Sequence, residues 1–371
     1  MVATKTNNVA VWALTPNGVK LAGNIRQSLT DADVYVSQNI RETAFGHFAF
    51  QTLRETINKQ FDQYSGHIFI MSTGIVVRLI APLLKDKTQD PAVVVVDDGA
   101  HHAISLLSGH LGGANELTRQ IADIIGARAV ITTATDVNQV PAIDVLAREK
   151  KLSIENPAAI KTVNMAILKG EKIYVHDPSN YLKSRLPNFE PQTFDNSKNN
   201  LKIEYPDSEF DARPGVFVDD IRIDLPPQVL VLRPASLVAG IGCNRNTETD
   251  EIKTHLKAVL ASANLSISSL QCLASIDVKA DEDGLIALGH DLGLPVVFFT
   301  RQELNRVQDI ENPSTVVEKH VGVKSVCEAA AILAARNGSL IVPKQTTRNV
   351  TVAIARIDFS SSASVPAARI T

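Results

Sequence analysis

The chain has 371 residues, 44% hydrophobic and 21% charged, with 37 Lys and Arg against 40 Asp and Glu for a net charge of -3. That length suits two or three domains of about 100–200 residues each, and the faint acidic balance excludes a general nucleic-acid binder while leaving room for a small polyanionic substrate. Cys243, Cys272 and Cys327 are too few and too scattered for a disulfide framework or a zinc site, which fits a reducing cytoplasm.

The first residues lack the apolar core of a signal peptide. Residues 9–14 read as a strand, 18–29 as a helix, 33–36 as a strand and 50–61 as a helix. The longest apolar stretch, 68–84, is broken by Ser72, Thr73, Gly74 and Arg78. It reads as strand, turn and buried helix, with Thr73 as N-cap, rather than as a membrane span of about 20 apolar residues. A strand at 92–96 runs into Asp97-Asp98 and then a loop carrying Ser108, Gly109, His110, Gly112, Gly113, Asn115 and Glu116. The helix 114–125 follows, with Leu117, Ile121, Ile124 and Ile125 on one stripe. A strand at 129–132 ends in Thr132-Thr133-Ala134-Thr135-Asp136. Such alternation indicates a mostly parallel sheet covered by helices on both faces.

From about residue 150 the rhythm weakens, and 177–227, rich in Pro, Asn, Asp and Ser, reads as a connecting or small middle region. Regular elements return with a strand at 236–241, a helix at 248–260, a strand ending near Ser275, a helix around 285–292 and a strand at 295–299. An alanine-rich helix at 325–335 and strands at 340–342 and 350–355 precede a frayed tail. The expected class is α/β: an N-terminal domain over 1–145, a middle region over 146–234, a second α/β domain over 235–357 and a flexible tail over 358–371.

Polar clusters mark the element junctions. In an open parallel sheet the carboxyl ends of strands converge, so Ser72-Thr73-Gly74 with Arg78, Asp97-Asp98, the 108–116 loop and Thr133 to Asp136 are expected to share one crevice. Asp97 or Asp98 suits a general base there and His110 a proton shuttle. A tight loop using glycine for positive φ, a solvated turn acid and a backbone-bonded histidine account for the same residues without chemistry. His101-His102 are adjacent and point to opposite faces of an extended segment, so they do not form a metal pair. No Gly-x-Ser-x-Gly elbow, Gly-x-Gly-x-x-Gly fingerprint or P-loop is present. Near the C-terminus, Gly240-Ile-Gly242-Cys243-Asn244-Arg245 follows a strand and precedes a helix, and Asp277, Lys279, Ser325, Glu328 and Lys344 lie at further junctions.

These segments resemble the CbiG family, the cobalt-precorrin-5A hydrolases of anaerobic cobalamin biosynthesis. The matching stretches are Ser72-Thr-Gly-Ile-Val-Val-Arg, Ser105-Leu-Leu-Ser-Gly-His-Leu-Gly-Gly-Ala-Asn-Glu and Ile131-Thr-Thr-Ala-Thr-Asp. Gly240-Ile-Gly-Cys, Ser275-Ile-Asp-Val-Lys-Ala-Asp-Glu and Val342-Pro-Lys-Gln are similar to its C-terminal domain, itself similar to the CobE protein. Asn244 and Asn246 depart from the Arg and Gly expected there. The resemblance implies a cobalt-containing tetrapyrrole substrate whose δ-lactone is opened by water, with acetaldehyde released and cobalt-precorrin-5B formed. It implies no organic cofactor and no resident metal, cobalt belonging to the substrate, and neither a nucleic-acid nor a membrane partner; a homodimer is compatible with it. On this reading Asp98 or Asp97 is the base, His110 the proton carrier, and the amides of Gly109, Gly112 and Gly113 face developing charge. Thr73, Gly74, Ser108, Asn115, Glu116, Thr133, Asp136, Gly242, Asp277 and Ser325 line the substrate, and Arg78, Lys85, Arg245, Lys279 and Lys344 hold its carboxylates. A non-catalytic carrier of corrinoid intermediates is the competing reading.

Overall fold

The computed structural model describes residues 6–40, 48–86, 89–191, 213–307, 325–336 and 338–357. The expected tail at 358–371 therefore lies outside the described residues. The chain divides into two compact units, 1–148 with 167–169, and 149–166 with 170–371.

The first unit is built on a seven-stranded sheet of order β3-β2-β1-β4-β5-β6-β7. Its strands are β1 (Thr6–Ala13), β2 (Ala32–Ser37), β3 (Phe48–Phe50), β4 (Tyr64–Ile70), β5 (Ala92–Val96), β6 (His102–Leu107) and β7 (Arg128–Val130). The helices are α1 (Pro16–Ser28), α2 (Leu53–Gln60), α3 (Thr73–Ile80), α4 (Ala114–Ile125), α5 (Ala134–Val137) and α6 (Ile143–Glu149). Alternation along the strands sorts the core into two layers. Val11, Ala13, Ile68, Ile70, Val94 and Val96 pack with α1 and α4, while Ala10, Trp12, Phe69, Met71, Val93 and Val95 pack with α2 and α3. The second layer contains a wholly buried histidine: Trp12 Nε1 donates to His67 Nδ1 at 3.1 Å, and His67 Nε2 lies 3.1 Å from the Phe61 carbonyl. The N-cap of α3 is Ser72 rather than Thr73, which is already helical.

Strand direction decides where the loops emerge. Strands β1 to β5 run parallel, whereas β6 turns back antiparallel against β5, and β7 pairs parallel to β6. The carboxyl ends of β6 and β7 therefore lie at the sheet edge where β1 to β5 begin.

The second unit contains two five-stranded sheets. The first has the order β10-β9-β11-β12-β8, from β8 (Ser153–Ile154), β9 (Ile173–His176), β10 (Phe189–Pro191), β11 (Gly215–Val218) and β12 (Val229–Arg233). The helix α7 (Ala159–Lys169) connects β8 to β9. The middle of the chain is thus a sheet in its own right rather than a connection. Its strands are too short to show a period, but β9 and β11 are buried at every position.

The second sheet, β15-β14-β13-β17-β16, comprises β13 (Leu237–Cys243), β14 (Leu270–Ile276), β15 (Val296–Phe299), β16 (Ser339–Thr346) and β17 (Val350–Arg356). Helices α8 (Thr249–Ser262) and α9 (Asp283–Leu292) supply Leu256, Leu260, Leu285 and Leu288 to one face. The other face receives α10 (Arg301–Leu304) and α11 (Val326–Ala334), through Leu304, Ala329, Ala330 and Ala331. A Cβ on Gly240 would fall 1.8 Å from the Cys327 carbonyl oxygen, so α11 approaches β13 only because that position is glycine.

Candidate functional site

The antiparallel turn of β6 divides the expected crevice in two. At the carboxyl edge of β1, β4 and β5, Thr15 caps α1 by accepting the Gly18 amide at 2.9 Å and donates its hydroxyl to Asp98. Asn17 donates to the Asp98 carbonyl, so the exposed Asp98 is tied to the first turn of α1. Asp97 builds the β5–β6 hairpin: its carboxylate accepts the amides of Gly99, His101 and His102 at 3.1, 3.2 and 2.6 Å, and His101 Nδ1 lies 3.1 Å away. Burial pushes the Asp97 carboxyl up, but the amides of His101 and His102 and then the His101 ring outweigh it and hold the group below its ordinary range. Thr73 and Gly74 open α3 at this edge, and Arg78 folds back to donate to the Gly74 carbonyl at 2.8 Å. Lys85 pairs with Asp62 at 2.6 Å.

At the opposite edge the loop after β6 and the loop after β7 meet around His110. Its Nδ1 lies 3.5 Å from Asp144, and its Nε2 lies 2.9 Å from the Thr135 hydroxyl and 3.3 Å from Asp136. Asp144, on α6, is almost wholly buried. Asp136 also accepts from Thr133 at 2.6 Å, from Asn115 at 2.9 Å and from Arg119. Ser105 donates to Asn115 at 2.7 Å, and Arg148 donates to the His110 carbonyl. Glu116 pairs with Arg119 at 3.5 Å on the exposed face of α4. The hydrogen bond to Asp144, opposed by burial and reinforced by Asp136, raises the His110 pKa above its ordinary 6.5. Burial pushes Asp136 up, but Thr133, Arg119 and His110 prevail and hold it below the ordinary carboxylate value. The result is a histidine inclined to carry a proton, with a carboxylate on each ring nitrogen.

The glycines of this loop answer to the loop itself. A Cβ on Gly109 would fall 2.7 Å from Asn115 Oδ1, one on Gly112 would fall 2.3 Å from Ser108 Cβ, and Gly113 has φ 87. The Gly113 amide donates to the His110 carbonyl at 3.0 Å, so it does not face developing charge as expected. Ser108 is held at φ 58, with its hydroxyl buried and without a hydrogen-bond partner among the described residues. Left-handed backbone at a non-glycine position beside titratable groups is strain of the kind found at working sites.

In the second unit, Gly242 and Arg245 at the end of β13 approach the segment after β14. Arg245 donates to Asp281 and to the Val278 carbonyl, and Lys279 pairs with the buried Glu282 at 3.1 Å. Asp277 lies exposed in the same turn. Gly242 leaves room for Thr351. Ser325 stands at the N-cap position of α11 without a side-chain cap hydrogen bond and is buried against Cys327, and the Lys344 amide donates to the buried Glu328 at 2.9 Å. Arg78, Lys85, Arg245 and Lys279 thus each have an acid or carbonyl partner of their own.

Thr15, Asn17, Arg119, Asp144 and Arg148 complete these networks and were not singled out by pattern, whereas Thr135 belongs to the polar cluster at 132–136. Asp144 lies within an ordinary amphipathic helix, and only the fold shows that it faces His110.

A mixed α/β protein with acid–base groups at a strand–helix mouth is the class that this geometry defines. Three family models match: Cobalamin synthesis G N-terminal over residues 55–136, the Cobalamin biosynthesis central region over 141–234 and Cobalamin synthesis G C-terminus over 237–355. The chain belongs to the CbiG family of cobalamin biosynthesis. It is 34% identical to the cobalt-precorrin-5A hydrolase of Priestia megaterium, over 96% of each chain. It is 35% identical to the cobalt-precorrin-5A hydrolase of Salmonella typhimurium, over 95% of this chain and 99% of the relative. Protein CobE of a Sinorhizobium species is 32% identical over 33% of this chain and 80% of its own length.

Proposed function

We propose that this protein is a cobalt-precorrin-5A hydrolase. The observation that carries this reading is end-to-end similarity to relatives of that name, at 34% and 35% identity over 96% and 95% of this chain. Water adds to the lactone carbonyl, its two protons passing to solvent, and the ring C–O bond breaks; the alkoxide takes up one proton, leaving a carboxylate and a hydroxyl. That hydroxyl then loses its proton, the adjacent carbon–carbon bond breaks, and acetaldehyde departs. The electron pair passes into the conjugated macrocycle, which takes up a proton, so the sequence of steps needs no organic cofactor.

Both stages move a proton on the same oxygen. Charged His110 suits the first, donating to the alkoxide as the lactone opens; the neutral ring it leaves suits the second, accepting the hydroxyl proton. Asp144 holds the ring from the Nδ1 side, so we assign the transfers to Nε2, beside Thr135 and Asp136. A base at Asp98 and a carrier at His110 would have to reach one bond from opposite edges of a sheet. We therefore assign the proton transfers to His110 and leave Asp98 out of them. Among the described residues no helix is long and apolar enough to cross a membrane.

The test is anaerobic incubation with cobalt-precorrin-5A, acetaldehyde being trapped by a coupled NADH-dependent reductase and the corrinoid product weighed. Acetaldehyde with the matching loss of mass is the expected result. Tight corrinoid binding without acetaldehyde would make the chain a carrier instead.

A further inference from the structure

His110 stands among partners of unequal kind. On the Nδ1 side is Asp144 of α6 at 3.5 Å; on the Nε2 side are Asp136 of α5 at 3.3 Å and the Thr135 hydroxyl at 2.9 Å. Two arginines complete the charged surroundings: Arg148 of α6 donates to the His110 carbonyl, and Arg119 of α4 donates to Asp136. Asp136 Oδ2 already accepts Thr133 at 2.6 Å and Asn115 at 2.9 Å, both closer than the ring. The nearest partner of Nε2 is therefore a hydroxyl and not a carboxylate.

That difference matters once the ring gives up its proton. An ionised carboxylate only accepts, so it serves Nε2 while that atom carries a proton and opposes the lone pair afterwards. A hydroxyl does both: Thr135 accepts from the charged ring and, by rotating its O–H, donates to the neutral one. Only the second arrangement places the hydroxyl's own proton, because Thr135 is 3% exposed and its hydroxyl is paired with the ring alone among the described residues. A buried hydroxyl in need of an acceptor favours the neutral ring.

We propose that Thr135 is a positioning residue for the proton transfers: its hydroxyl holds the neutral form of His110 in place against two carboxylates that favour the charged form, so that one ring serves first as acid and then as base. The assignment of those transfers rests on the hydrolase reading; the balance between hydroxyl and carboxylates does not. Asp144 and Asp136 raise the His110 pKa, and Thr135 draws it back.

The test is an NMR titration of the His110 Cε1–H resonance in the full chain, assigned by its absence from His110→Asn. In Thr135→Val the charged ring keeps Asp136 as acceptor while the neutral ring loses its donor. The neutral fraction at a given pH should fall about fivefold, the weight of one neutral hydrogen bond, and the midpoint should move to higher pH. Thr135→Ala should do the same with a smaller side chain, and Thr135→Ser should titrate as wild type. An unchanged or lower midpoint in the Val and Ala variants, or a Ser variant that titrates as they do, overturns the proposal. With cobalt-precorrin-5A the alkaline limb of kcat/KM should follow the midpoint to higher pH in Thr135→Val and stay in place in Thr135→Ser. A loss of rate uniform across pH would make Thr135 a packing residue and overturn the positioning role. The titration needs no substrate, so absence of acetaldehyde from wild-type protein would sink the hydrolase reading alone.

Discussion

The two edges of the N-terminal sheet carry similar residue types put to different ends. At one edge a pair of aspartates is tied into the scaffold: Asp97 by the amides of its own hairpin, Asp98 by the side chains of Thr15 and Asn17 at the start of α1. At the other edge two aspartates face one imidazole, and Asp144 is buried while doing so. An acid that accepts three backbone amides is a structural part, because each amide fixes its position and lowers its basicity. An acid aimed at a histidine ring tunes a group that exchanges protons near neutral pH. The contrast shows why an acidic pair beside a strand end is poor evidence of catalysis until its hydrogen-bond partners are known.

The sharpest way to break this comparison is to neutralise one group at each edge. His110→Asn should lower acetaldehyde release by about a hundredfold or more, the usual loss of a proton-transfer group. Asp98→Asn should stay within a few-fold of wild type, roughly the weight of a surface hydrogen bond. The opposite ranking in the coupled assay would move the reaction to the Asp98 edge.

A second substitution sharpens it. Asp144→Asn removes the largest influence raising the His110 pKa, so the imidazolium should discharge at lower pH. The alkaline limb of kcat/KM should move toward acid, with a loss of about tenfold on that limb and little change at the acid end. A uniform loss at every pH would instead mark Asp144 as a packing residue.

Stability should separate the edges as well. His110 has a raised pKa, so its contribution is complete below the ordinary 6.5 and is lost as pH rises through the folded value. Asp97 has a lowered pKa, so its contribution is present above 3.8 and is lost as pH falls through the folded value. Melting curves of His110→Asn and wild type should therefore converge on the alkaline side. The deficit of Asp97→Asn should persist there and close only in acid. That deficit is about 1 kcal/mol, after allowing for solvent screening of a carboxylate that is more than one third exposed.

Much of this arrangement was legible in the residues, and the part that was not has a physical cause. The run Ala92–Val96 and the stripe of α4 announced their elements because burial on both faces, or on one, leaves a period. The direction of β6 was the harder part. His102–Leu107 has no alternation of its own, and antiparallel pairing resides in the Asp97 hairpin, whose one signal is Asp98-Gly99 beside Ala100 at φ 55. Reading 97–113 as one loop placed Asp98 and His110 together, and one reversed strand separated them. The middle sheet escaped notice for a related reason: strands of two to five residues are shorter than any window in which period two can be recognised. Within the candidate site, His110, Asn115, Thr133 and Asp136 were marked by clustering in sequence. Asp144 and Arg148 reach His110 from another helix, a relation that only tertiary packing creates.

The smallest effect is the most discriminating for the Asp98 edge. Thr15 does two things with one oxygen, accepting the Gly18 amide as the cap of α1 and donating its proton to Asp98. Thr15→Val removes both at constant shape and should cost about 1 kcal/mol, as the loss of a helix cap does. Thr15→Asp would restore a cap acceptor but set a second carboxylate against Asp98. If Asp98 matters only as an anchor for α1, the Val variant should lose a few degrees in Tm and keep its turnover, and the Asp variant should be the less stable of the two. Loss of turnover in the Val variant, with Tm preserved, would mean that the hydrogen bond positions Asp98 for chemistry, and the two edges would then have to be reassigned.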